Sequence, residues 1–83
     1  MYTIIFSDLA KKQLDKLPPD IQKRVIVALE RIRIRPEAYL TKLVGEQAYK
    51  LRVGDYRVIM DVDNQKLILF IIKVGHRKNI YDF

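Results

Sequence analysis

The stretch YKLRVGDYRV, Tyr49 to Val58, holds two runs of alternating residues separated by Gly54-Asp55. Glycine at the first loop position suits a two-residue type II′ turn, and so short a loop allows one register for the strands beside it. Val53 then faces Tyr56, Arg52 faces Arg57, Leu51 faces Val58 and Lys50 faces Ile59. Side chains alternate between the faces of a sheet, so Tyr49, Leu51, Val53, Tyr56 and Val58 share an apolar face. Lys50, Arg52 and Arg57 crowd the other. Like charges placed opposite each other cost a sheet about 0.2–1 kcal/mol per pair. A solvated outer face is the ordinary setting for such charge, but a cluster kept at that cost points to an anion that it binds.

Elsewhere the chain reads as one α+β domain over residues 1–83. Tyr2 to Phe6 is a short strand rich in Ile and aromatics. Ser7 can cap a helix with Asp8 in its first turn, and Ala10, Leu14 and Leu17 give it an apolar stripe to about Lys16. Pro18-Pro19 ends that helix and starts a second, whose stripe is Ile21, Val25, Ala28, Leu29 and Ile32. Arg35 precedes Pro36 and is pushed out of helix, so the second helix should end near Ile34. "RIRIRP" alternates like a strand, but the long stripe before it favours helix. Residues 36–47 read as a loop. Three strands are expected near Ala48–Val53, Tyr56–Asp61 and Lys66–Val74, the last two joined by Asp63-Asn64-Gln65. The order β-α-α-β-β-β implies an antiparallel meander with a helical hairpin on one face.

Carrying the pairing through the second turn assigns Met60, Leu67, Leu69 and Ile71 to the helix side. Ile59, Phe70, Ile72 and Val74 join the cations on the other side, which no remaining helix is expected to cover. An exposed face that is half apolar and half cationic suits RNA, a protein partner or both.

Charge agrees with an anionic partner: 16 Lys and Arg against 10 Asp and Glu leave +6. No cysteine is present, which excludes disulfides and thiolate metal sites, and one His cannot by itself make a zinc site. No cofactor is expected. The N-terminal apolar run is five residues long, too short for a signal peptide, and no stretch nears the roughly 20 apolar residues of a membrane span. A cytoplasmic location is expected.

The string YKLRVGDYRVIMDVDNQKLILFIIKVGHRKNIY resembles the RelE/ParE superfamily of toxin–antitoxin toxins, on the RelE side. The opening FSDLAKKQLDKLP and the loop KLVG at Lys42–Gly45 extend the likeness over essentially the whole chain. The resemblance implies a toxin that enters the ribosomal A site and cuts mRNA there without a metal. It implies a cognate RelB-like antitoxin, acidic and wrapped around the toxin in a hetero-oligomer. Many members carry a C-terminal helix that this sequence, ending at Phe83, is expected to lack.

Position by position, the resemblance assigns the paired basic residues before the hairpin to Lys50 and Arg52, and the Arg after the turn to Arg57. The Arg after the last strand is Arg77, and a C-terminal Tyr matches Tyr81 at shorter spacing than usual. Cleavage without metal needs the 2′-hydroxyl to attack the neighbouring phosphate, leaving a 2′,3′-cyclic phosphate. Lys50 is the expected base, its neutral form favoured by the guanidiniums beside it. Arg52 and Arg57 would hold the transition-state charge, Arg77 the leaving oxygen, and Tyr81 would stack on a base or orient the hydroxyl. Lys42, Lys73 and Lys78 are expected to contact RNA phosphates. His76 matches no RelE-type catalytic position. Lys11, Lys12, Lys23, Arg24 and Arg31 read as a solvated helix face that could also meet ribosomal RNA. The alternatives are a ParE-like toxin that poisons DNA gyrase and a catalytically weak RNA-binding relative.

Overall fold

The structure, a computed structural model, describes residues 1–45 and 47–80. Strand β1 (Thr3–Phe6) leads into helices α1 (Asp8–Asp15) and α2 (Pro19–Ile32), then a 3-10 turn at Pro36–Ala38. Four strands follow: β2 (Thr41–Lys42), β3 (Tyr49–Val53), β4 (Tyr56–Asp63) and β5 (Ile68–His76). The sheet order is β1-β5-β4-β3-β2. The meander over β3, β4 and β5 is antiparallel as the pattern predicts. Two features lie outside that expectation. β1 joins the far edge parallel to β5, Thr3 opposite Ile68, and β2 turns part of the expected loop into a two-residue strand on β3.

The helices form where the signals place them. Ser7 caps α1, its Oγ accepting from the Ala10 amide at 3.0 Å, and Pro19 opens α2. Arg35 is extended at φ −145°, as the following proline requires. Val25, Leu29 and Ile32 of α2 are buried against Leu51, Val53, Val58, Met60, Leu69 and Ile71 of the sheet, with Ala10 of α1. The end of α2 is fastened to β1: the Tyr2 amide donates to the Arg33 carbonyl at 2.8 Å, and Arg33 Nε donates to the Tyr2 carbonyl at 2.8 Å.

β5 departs from simple alternation. Ile59 faces Lys73 while Met60 faces Ile71, so Ile72 is an extra residue, a bulge. Beyond it every side chain changes face. Val74 therefore belongs to the core, 1% exposed, and not to the outer face as simple alternation predicts. Lys73 and Gly75 take the outer positions opposite Ile59 and Arg57. Leu67, expected in the core, lies in the turn before β5 at φ 56°. The outer face is also better covered than expected. The segment after β5 turns back so that Ile80 is buried and its Cδ1 lies 3.3 Å from where a Cβ on Gly75 would be; Ile59 is 1% exposed.

Two side chains of the α1 segment hold the bulge. Ser7 Oγ donates to the Ile72 carbonyl at 2.7 Å, and Gln13 Oε1 accepts from the Val74 amide at 2.8 Å. Both bonds fall where β1, which ends at Phe6 opposite Ile71, no longer covers β5. Ser7→Ala removes a cap and a bond to the bulge together. It should cost about 1–2 kcal/mol, read as a lower urea midpoint at unchanged slope. A loss no larger than a few tenths would mean that the bulge stands without Ser7.

Candidate functional site

The hairpin adopts the register read from its turn, including Lys50 opposite Ile59 and Arg52 opposite Arg57. Gly54 sits at φ 59° and Asp55 is not among the positive-φ residues, which is the type II′ pattern. In a two-residue hairpin the pair closing the turn exchanges both backbone bonds, so Arg52 and Arg57 form the closer, non-bonded kind of pair, about 4.5 Å between Cα atoms. Their side chains stand on the outer face with Lys50, two residues along the strand.

Arg57 is fixed by its own turn. Nη1 donates to the Gly54 carbonyl at 2.8 Å and to the Tyr56 carbonyl at 2.9 Å. Both hydrogens of one nitrogen are thereby used, and Nε with Nη2 remain to address an anion in a set orientation. Across the sheet Arg57 pairs with Gly75, over which Ile80 packs.

Arg77 reaches the same corner through Asp55. The Arg77 amide donates to the Asp55 carbonyl at 2.8 Å, and Arg77 Nε lies 3.9 Å from Asp55 Oδ1. Both side chains of that ion pair are more than half exposed, so the backbone bond is the firmer anchor. The sequence marks Asp55 only as a turn residue. Its second role, pinning the chain after β5 to the hairpin, depends on a contact between residues 22 apart in the sequence, which no local signal announces.

The remaining expected positions divide. Lys78 is exposed in the turn after β5, beside the corner. Lys42, exposed, pairs with Tyr49, so it stands on the helix side of the sheet and is not brought together with Lys50. There it lines a cavity of about 250 Å³ with Pro36, Leu40, Tyr49 and Val62. Lys73 reaches the outer face through the bulge but is only 6% exposed, which corrects the expectation of a surface phosphate contact. Tyr81 lies outside the described residues. His76 follows the bulge to the helix side, opposite Tyr56, where the two rings meet edge-on with centroids 5.4 Å apart. Its Nδ1 accepts from the Lys78 amide at 3.2 Å. These contacts make His76 a packing and turn residue.

What the arrangement offers chemically is a shallow anion seat: Lys50, Arg52 and Arg57 on a rigid hairpin, with Arg77 closing one end. Guanidinium forks suit phosphate oxygens, and strands hold them in place more firmly than loops would.

Known proteins share this fold. The family profile described as "ParE toxin of type II toxin-antitoxin system, parDE" matches residues 4–81. Toxin RelG of Mycobacterium tuberculosis is 30% identical, the match covering 96% of this chain and 95% of the relative. The mRNA interferase toxin RelE of Escherichia coli is 30% identical over 93% of this chain and 84% of its own. In three dimensions, the crystal structure of the toxin–antitoxin complex RelBE2 from Mycobacterium tuberculosis superposes with a TM-score of 0.83. That likeness is at 30% identity and covers 92% of this chain and 98% of that one. A profile match along nearly the whole sequence, joined to relatives matched over most of their own length and a shared fold, leaves one assignment: the chain belongs to the RelE/ParE superfamily and is a RelE-family toxin of the type II toxin–antitoxin class.

Proposed function

We propose that this toxin is a ribosome-dependent endoribonuclease that cuts mRNA in the A site and is held inactive by a RelB-like antitoxin. The observation that carries the reading is the Arg52–Arg57 pair, locked in register on the outer face with Arg77 fastened beside it by Asp55. The relative named as an mRNA interferase supports the reaction class. In the proposed step Lys50 takes the proton from the 2′-hydroxyl and the 2′-oxygen bonds to phosphorus as the bond to the 5′-oxygen breaks. Arg52 and Arg57 hold the charge on the pentacoordinate phosphorane. Arg77 stabilises the leaving oxygen, which takes a proton from solvent to end as a 5′-hydroxyl, and Tyr81 orients the nucleotide. A cytoplasmic location follows from the ribosome as target.

The antitoxin part rests on charge and on the solved relative, which is itself a toxin–antitoxin complex. A chain carrying +6 favours an acidic partner, and a segment that orders on contact can cover the cationic face.

Primer extension on translating ribosomes tests the reading. Cuts inside the A-site codon are expected from the wild-type chain. Growth arrest without any cut would transfer the proposal to gyrase, in keeping with the ParE name of the matching profile, and a supercoiling assay would then show the inhibition.

A further inference from the structure

A broad groove lies away from the outer face, between α2 and the hairpin. It is open, about 520 Å³, and its lining includes Lys23, Arg24 and Arg31 of α2 together with Arg52 and Gly54. Arg24 and Arg31 are seven residues apart, two helical turns or about 10 Å, on the shoulder of α2 that faces the hairpin. Asp20 is the one carboxylate in the lining. Among the described residues none of the four groove cations is in an ion pair.

Gly54 shows how tightly this helix is joined to the site. A Cβ there would lie 3.0 Å from Arg24 Nη2. The guanidinium therefore rests on the bare backbone of the turn whose carbonyl is held, from another direction, by Arg57. The positive φ of Gly54 favours glycine for the turn, and a Cβ there would also press on the Arg24 guanidinium, which would have to shift. Because β2 pairs with β3 only at Tyr49 and Lys50, no strand covers the edge at Arg52 and Val53. Arg52 thus belongs to both surfaces, and cations run without a break from the outer face, around this edge, to α2.

We propose that this groove seats a single-stranded RNA phosphate backbone, continuing the strand whose scissile phosphate lies at Arg57; the inference rests on the nuclease reading above. A polyanion with regularly spaced charge matches cations spread along two helical turns. Val27, Ala28 and Val53 give the groove an apolar floor for riboses and bases. An acidic peptide could meet the same cations, but continuity with the cleavage face through Arg52 favours the RNA.

The test is fluorescence anisotropy with a labelled, 2′-O-methylated oligonucleotide, which binds but offers no nucleophile. The variant carries Lys23→Ala, Arg24→Ala and Arg31→Ala. At about 50 mM salt its affinity should fall at least about tenfold, and the slope of log K against log salt should flatten by about 2, three single-strand contacts at about 0.7 each. Should the triple change disturb the turn, Lys23→Ala with Arg31→Ala leaves the Arg24–Gly54 contact intact and should flatten the slope by about 1.4. Unchanged affinity and slope in a folded variant, or no binding by the wild type, overturns the proposal. So does an unchanged RNA affinity accompanied by weaker capture of a glutamate-rich peptide, which would make the groove a peptide site. Ribosome cutting by the wild type is scored separately. Cuts with an unchanged slope remove the groove and keep the nuclease; a flattened slope without cuts does the reverse.

Discussion

Arg57→Ala should lower A-site cutting by about 10²–10³-fold while the protein stays folded. The size is that of losing one preorganised charge donor from a site that stabilises a developing anion. The fold should hold because two effects oppose each other. The substitution forfeits the bonds from Nη1 to the Gly54 and Tyr56 carbonyls, but it also relieves the like-charge contact with Arg52. Net bonds at carbonyls no more than part-buried and cross-strand repulsion are each about 1 kcal/mol, so the melting temperature should move by only a few degrees. Arg57→Lys sharpens the test. An ammonium cannot hold the turn carbonyls and still present a planar fork to phosphate, so lysine should recover little of the activity. Primer extension at matched folded protein, judged by circular dichroism, provides the comparison. Full cutting by Arg57→Ala would remove the hairpin from the chemistry, whatever the ribosome does.

The largest stability effect is expected at the centre of β5. Leu69 is fully buried between Ile4 of β1 and Val62 of β4. Leu69→Ala should cost about 2–5 kcal/mol through lost transfer energy and the cavity left behind. A domain of this length has only about 4–12 kcal/mol in total, so the thermal midpoint should fall by 10 °C or more. Phe70, next in sequence but on the outer face and 39% exposed, should lose about 1 kcal/mol or less on truncation. The same comparison across the bulge, Val74→Ala against Ile72→Ala, reads the change of face directly. Val74, 1% exposed, should be the more costly of the two. Equal losses at Leu69 and Phe70 would contradict the register of β5.

Legibility followed the range of the interactions that decide each element. The hairpin could be read because its determinants lie within ten residues: a two-residue loop, a glycine at its first position and strict alternation on both sides. The helices could be read for the same reason, from a serine cap, a proline pair and an apolar stripe. With the register came the cationic pair, and with the family resemblance the place of Arg77. Nothing in LILFIIKV marks Ile72 as a bulge, because the run has no glycine or proline and either parity buries something apolar. The choice is made by Ser7 and Gln13, which lie more than 60 residues away and meet the Ile72 carbonyl and the Val74 amide only when α1 is docked. That choice then moves Val74 into the core, Lys73 and Gly75 to the outer face, and His76 away from it.

The local geometry of the hairpin, the two helices and the sign of the surface charge are written in the chain, since these depend on neighbours and on composition. The parallel docking of β1, the bulge, the fold-back of Ile80 over Gly75, and the contacts of Arg24 with Gly54 and of Asp55 with Arg77 arise only in the folded molecule. Each joins segments far apart in the chain. Such contacts form only where packing of the core has already met the entropy of closing the loop between them, and no local pattern encodes that balance.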